Sequence, residues 1–243
     1  MTVAAVKLNK AIARKVLKTV DAGLVSGLGE PIPGQMCVEA AVNYAMGLPH
    51  GDNPQCVGSA VRRFKIRLND SNWPTDKDRT AGMRKLAIAQ LGSNTIDQKA
   101  FADEVVFQTI RQIVPHALRA AAKLNPKFAE ALEVCAVGCE VASDLSVART
   151  AVRAALEKAR QTRKAAAAAA AAAAYAAADA AAAAYAAADA AAAADAAADA
   201  YAAADAAAKN KSRLKVLKLC ADIGLQALIK LKSPGVKWLG LCN

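Results

Sequence analysis

The chain has 243 residues and a formal net charge of +11, which is room for one domain with an extension or for two small domains. It is 55% hydrophobic but only 4% aromatic, and much of the hydrophobic share is Ala, so the core it can build is smaller than the percentage implies. Its six Cys show no secretory framework spacing, the first residues (MTVAAVKLNK) carry no apolar leader segment, and no run of about 18 apolar residues exists outside one Ala-rich tract, which excludes a disulfide scaffold and an ordinary membrane span.

In chain order, residues 3–25 place Val3, Val6, Ile12, Val16, Val20 and Leu24 on one helical stripe, with Lys7, Lys10, Arg14, Lys15 and Lys18 filling most of the rest. This predicts a basic amphipathic helix that stops at Gly27 and Gly29. PIPG at 31–34 is a turn. Residues 35–47 predict a short helix ended by Gly47, residues 48–55 a loop rich in breakers, and residues 56–69 a helix carrying Arg62, Arg63, Lys65 and Arg67. Further helices are expected at 76–90, at 97–114 up to Pro115, at 116–124, and from Asn125-Pro126 to about 142. Ser143 or Asp144 can cap the next helix, which runs into the Ala-rich tract, and a last helix covers 212–232. Trp73 and Trp238 read as anchors of turns to the core. Period-two alternation is absent, so the expected fold is all-α.

The tract at 165–208 is Ala interrupted only by three Tyr and five Asp. It lacks any nucleophile or base. Ala loses no side-chain entropy on ordering and has the highest helix propensity, so this length predicts a helical rod. Tyr175 and Asp179, Tyr185 and Asp189, Asp195 and Asp199, and Tyr201 and Asp205 are each four apart and share a helix face. The pairs recur mostly every ten residues, which turns a helix about 80° short of three turns, so they wind around the rod. That rules against a flat ice-binding face and marks no heptad seam. A pentapeptide β-helix would be left hollow by Ala at its inward positions. Asp at a bilayer centre costs a few kcal/mol, so the tract is also a poor span.

Charge is segregated. Residues 1–164 hold 24 bases and 15 acids, the tract holds five Asp and no base, and residues 209–243 hold eight bases and one acid. A basic–acidic–basic order suggests contact with an anionic partner, nucleic acid or an acidic protein, or self-recognition of the acidic tract by the basic ends. The anion-binding candidates are Lys7, Lys10, Arg14, Lys15, Lys18, Arg63, Lys65 and Arg67. No helix-turn-helix, zinc finger, RNA-binding signature, phosphate loop or H-E-x-x-H motif is present.

The densest reactive chemistry lies in residues 37–56, where Cys37, Glu39, His50, Asp52 and Cys56 fall on a helix, a loop and a second helix start. Cys37, His50, Asp52 and Cys56 are a candidate zinc set, although the close pair of a standard site is missing; no other cofactor is implied. Cys56, near a helix N-terminus, would have a lowered pKa with His50 as its base, while Asp52 is an alternative cap for that helix. The competing reading makes both Cys small core hydrophobes and His50 a loop residue. Cys135 and Cys139 share a helix face and read as core packing, and His116 reads as structural.

PIPGQMCVEAAVNYAMGLPHGDNPQCVGSAVRRFKIRLNDSNW resembles the head of an uncharacterised bacterial and phage protein family, with its C-x-E-A motif and G-x-x-H-x-D-x-P-x-C-V. The Tyr/Asp tract and the terminal LIKLKSPGVKWLGL are similar to the rest of that family. The resemblance implies one constellation of Cys37, Glu39, His50, Asp52, Cys56, Arg62 and Asp70, but no activity.

The expected architecture is a helical head at 1–143, a long helix at 144–211 that includes the rod, and a basic C-terminal helix and tail at 212–243 that fold back on the head or cap a partner. The leading functional expectation is a non-enzymatic assembly protein, cytoplasmic or virion-associated, self-associating through its rod and offering a basic surface to an anionic partner. The alternatives are an enzyme or ligand-binding module using the 37–56 cluster, and a non-specific nucleic-acid binder.

Overall fold

A computed structural model describes residues 8–124, 126–165 and 209–243. Of the expected rod at 165–208, all but Ala165 lies outside the described residues, as do Val3, Val6 and Lys7. Among the described residues the fold is all-α: α1 (Lys10–Asp21), α2 (Val38–Ala45), α3 (Ser59–Asp70), α4 (Asp76–Ala89), α5 (Gln98–Gln112), α6 (Val114–Leu124), α7 (Ala129–Glu140), α8 (Leu145–Ala165) and α9 (Lys209–Lys230), with a closing 3₁₀ segment at Pro234–Cys242. Strand-like pairing is limited to isolated bridges from Met36 to Leu24 and to Gly29. No helix among the described residues is long and apolar enough to cross a membrane.

Two units form, one from residues 1–101 with 224–243 and the other from 102–223. In the first unit, Asn9 opens α1 by accepting the Ile12 N–H at 3.0 Å, the expected role of a short polar side chain at a helix start. The α1 stripe buries Ala13, Val16, Leu17 and Val20, while Lys10, Arg14, Lys15 and Lys18 stay exposed. The buried stripe packs on α2 and α4. Thr75 caps α4 by accepting the Asp78 N–H at 3.0 Å. Trp73 is buried and its indole donates to the Leu68 carbonyl at 2.7 Å, so it anchors the α3–α4 turn to the core. The C-terminal residues close over α4 and α1. There the Ser233 hydroxyl donates to the Ala89 carbonyl at 2.6 Å, and Arg84 donates from Nε and Nη2 to the two Asp21 carboxylate oxygens (2.6 and 3.0 Å) and from Nη1 to the Cys242 carbonyl.

In the second unit, α6 packs on α7, and α7 on α8. Val106, Ile110, Val114, Leu118, Leu132, Ala136, Cys139 and Val152 share one core. Cys139 is thus a core residue, and burial pushes its thiol up to about 12. Asp144 caps α8, accepting the N–H groups of Ser146 (2.8 Å) and Val147 (3.0 Å). Arg119 clamps α6 to α7 through Glu133 and Glu140. That hydrogen bonding holds the Glu140 carboxyl below its ordinary range. A carboxyl depressed by folding stabilises the native state above its unfolded pKa, and the contribution is lost as pH falls through the folded value. The Arg119→Met variant should therefore lose about 1 kcal/mol at pH 7, a modest figure because the clamp is partly exposed, and less below about pH 4. Urea unfolding at pH 7 and pH 3 checks this; an equal loss at both would contradict the clamp.

Candidate functional site

The candidate site lies within the first unit, where α2, α3 and the end of α4 meet around buried polar groups. Cys37 is the N-cap of α2, its sulfur accepting the Ala40 N–H at 3.4 Å. Glu39 follows in the first turn and is 0% exposed. Lys65 of α3 is also 0% exposed, with Nζ 3.3 Å from Glu39 Oε1. Gln90, at the C-cap of α4, is fully buried, and Asn43 on α2 is nearly so. Asn43 donates to the Gly51 carbonyl at 2.8 Å, which ties the loop to α2. Among the described residues, both Glu39 oxygens, Lys65 Nζ, both Gln90 amide atoms and Asn43 Oδ1 have no aligned hydrogen-bond partner.

The electrostatics follow from burial. Desolvation pushes the Glu39 carboxyl up against the pull of Lys65, and pulls the Lys65 ammonium down against the pull of Glu39. Burial alone drives each group toward its uncharged form, and the attraction of its partner across 3.3 Å opposes that drive. Desolvation also raises the thiols of Cys37 and Cys56. The expectation of a lowered Cys56 pKa is therefore corrected. The helix begins at Ser59 rather than at Cys56, and the Cys56 thiol is buried, its sulfur 3.7 Å from Met46 Sδ. Neither thiol is placed as a thiolate nucleophile.

The other predicted residues separate from this core. His50 is exposed, with Nε2 2.9 Å from the Gly29 carbonyl oxygen, so it does not serve Cys56 as a base. Asp52 pairs with Arg62 at 3.7 Å and does not cap α3. The start of α3 is capped from a distance instead: Ser93 Oγ accepts the Gly58 N–H at 3.0 Å and Gln98 Oε1 accepts the Ala60 N–H at 3.1 Å. Asp70 accepts the Gly27 N–H at 2.7 Å and fastens the loop after α1. Buried Asn69 extends that fastening, donating to the Val25 carbonyl at 2.8 Å. Among the described residues no three His, Cys, Asp or Glu side chains converge to hold a metal ion, so Cys37, His50, Asp52 and Cys56 are not drawn together as a ligand set.

Arg63 and Arg67 lie on the exposed side of α3. Lys65 does not, and its place among the surface anion-binding candidates is corrected. The signal was present in the spacing: Val61, Phe64 and Leu68 mark the buried face, and position 65 falls inside the same stripe. Gln90 and Asn43 left no comparable mark, because their burial depends on helices distant in sequence.

A groove lies beside this cluster, between α1 and the end of α2. Its volume is about 630 Å³, and its lining includes Ile12, Lys15, Lys18, Pro33, Tyr44 and Met46. Tyr44 is 44% exposed. In the second unit a cavity of about 550 Å³ mixes Arg111, His116, Glu140, Lys215, Lys218 and Asp222. His116 there is half-buried, and its pKa is lowered by burial and by Lys215 and Arg119. Comparison of the chain with protein-family models, curated proteins and solved structures gives no match.

Proposed function

We propose that the protein is a helical interaction protein that engages an anionic partner through the basic face of α1. One observation carries this: four exposed cations, Lys10, Arg14, Lys15 and Lys18, stand on a helix whose opposite face is buried, and two of them edge an apolar groove. A rigid helix holds those charges in fixed register, so an anionic surface meets several at once. The cluster at Glu39 and Lys65 is closed to solvent and presents no thiolate, which favours binding at the surface over chemistry in the interior. Titrating the full chain with a single-stranded oligonucleotide and with an acidic peptide, in low and high salt, tests the reading. Binding of either should weaken at least tenfold in Lys15→Glu/Lys18→Glu, and should weaken as salt rises. Retention of neither in low salt ends it.

A second reading, a small-ligand module, rests on the polar atoms around Glu39, Lys65, Gln90 and Asn43 that have no aligned partner. Under the first reading Cys37 and Cys56 alkylate slowly in the folded chain at pH 7, far below the rate in urea, because they are buried and their thiols are held protonated. Rapid alkylation of either thiol in the folded chain, shielded by a small molecule, would favour the second.

A further inference from the structure

We propose that the groove between α1 and the end of α2 binds the Tyr/Asp tract of a second copy of this chain, so that the anionic partner of the basic face is the protein itself. This rests on the reading of α1 as an anion-binding face and names its occupant. The groove offers apolar lining from Ile12, Pro33, Tyr44 and Met46, with Lys15 and Lys18 as cations three residues apart on one helix. The tract offers the complement: three Tyr, five Asp and no base, separated by Ala. Tyr175 and Asp179 are four residues apart in the sequence, as are Tyr185 and Asp189, and Tyr201 and Asp205. A Tyr ring seats against the apolar lining while the Asp four residues on meets a lysine. The intervening Ala side chains are small and add no bulk that would hold the tract off the groove.

The occupant is assigned to a second copy because the tract is multivalent: each chain carries three Tyr-x-x-x-Asp units, which one tract can offer to the grooves of different copies. Such a tract can reach more than one neighbour, and repeated weak contacts add up to assembly.

The test uses the full chain with a photo-crosslinking phenylalanine analogue at position 185, mixed with an isotopically heavy wild-type copy. Mass spectrometry should find light-to-heavy crosslinks on peptides carrying Tyr44 or Met46. Their yield should fall about tenfold in a heavy Lys15→Glu/Lys18→Glu copy and several-fold in high salt. A heavy Arg63→Glu/Arg67→Glu copy, reversed at the exposed cations of α3, should leave the yield unchanged. Crosslinks that remain within one copy, that map elsewhere, or that ignore the lysine reversal overturn the proposal. Salt-sensitive oligonucleotide binding that survives such a result would leave the basic-face reading standing and remove only its occupant; loss of both would remove both.

Discussion

Lys65→Met and Glu39→Gln should each cost about 3–5 kcal/mol of stability at pH 7, and their pH dependences should run in opposite directions. The two side chains are both 0% exposed and 3.3 Å apart, so removing one leaves the other buried without its counter-charge. A stranded group escapes by neutralising. From its ordinary carboxylate value to pH 7, Glu39 would take up a proton at a cost of about 4 kcal/mol, and Lys65 would shed one at a cost of about 5 kcal/mol. The signs then separate. In Lys65→Met, the Glu39 pKa is raised in the folded state, so the stability it permits is fully present below its unfolded value and lost as pH rises. That variant should come closest to wild type near pH 4–5 and be worst in alkali. In Glu39→Gln, the Lys65 pKa is depressed, so stability is kept at high pH and lost as pH falls. That variant should come closest to wild type near pH 10. Each slope approaches about 1.4 kcal/mol per pH unit. The Glu39→Gln/Lys65→Met double variant should be more stable than either single one, because no charge is left stranded. Urea unfolding from pH 5 to pH 9 measures all three. Parallel slopes in the single variants, or additive losses in the double, would mean that the two groups are not a buried pair.

The pair also shows why the candidate site divides as it does. Cys37, Glu39 and Cys56 entered the sequence reading as reactive types, and all three are buried together, but burial removes the reactivity that singled them out. The thiols are pushed up by burial and the carboxyl is held by Lys65. His50, Asp52 and Arg62 remain near the surface as loop and ion-pair residues. The basic face of α1, by contrast, is exposed: its charges stand in water, open to an incoming polyanion and screened by salt, and the helix supplies the spacing.

Local rules account for most of what the sequence disclosed. Apolar stripes at helical spacing, breakers such as Pro115 and Gly47, and caps such as Asp144 each act within a few residues, and the helices they imply are present among the described residues. α1 was set too long: among the described residues it runs only from Lys10, after the Asn9 cap, to Asp21, where Gly23 takes a positive φ and Leu24 turns to bridge Met36. Non-local effects account for the misses. Lys65 was counted with the surface charges although its position falls in the buried stripe of α3; what allows a Lys there is a carboxylate partner in a different helix, which local spacing does not show. The start of α3 was set at Cys56 because the caps from Ser93 and Gln98 come from far along the chain. The residues after the last helix were read as a tail, yet Pro234 opens a 3₁₀ segment: its ring fixes a helical φ, and the N–H it lacks would have no partner in a first turn.

That closing segment carries the second large effect. Gly235→Ala should destabilise the first unit by about 3 kcal/mol, while Gly240→Ala, five residues on in the same segment, should fall within about 0.5 kcal/mol of wild type. A Cβ at position 235 would collide with the Ile88 carbonyl oxygen and lie 2.9 Å from both the Ala89 oxygen and the Leu91 nitrogen. All three are backbone atoms at the end of α4, and none can rotate aside as a side-chain tip would. A Cβ at position 240 meets nothing within 4 Å. The substitution itself is the same at both positions, so helix propensity and unfolded-state entropy change alike and cancel in the comparison. What remains is the close approach of the chain to α4, which also brings Ser233 to the Ala89 carbonyl and buries Trp238. Because the tail closes over α1 as well as α4, its loss should loosen the helix that carries Lys15 and Lys18. Gly235→Ala should therefore speed amide hydrogen exchange in α1 as well as in residues 234–242. Exchange that quickens only in the tail would show α1 to be held by α2 and α4 alone, and equal stability of the two Ala variants would show that the tail is not seated against α4.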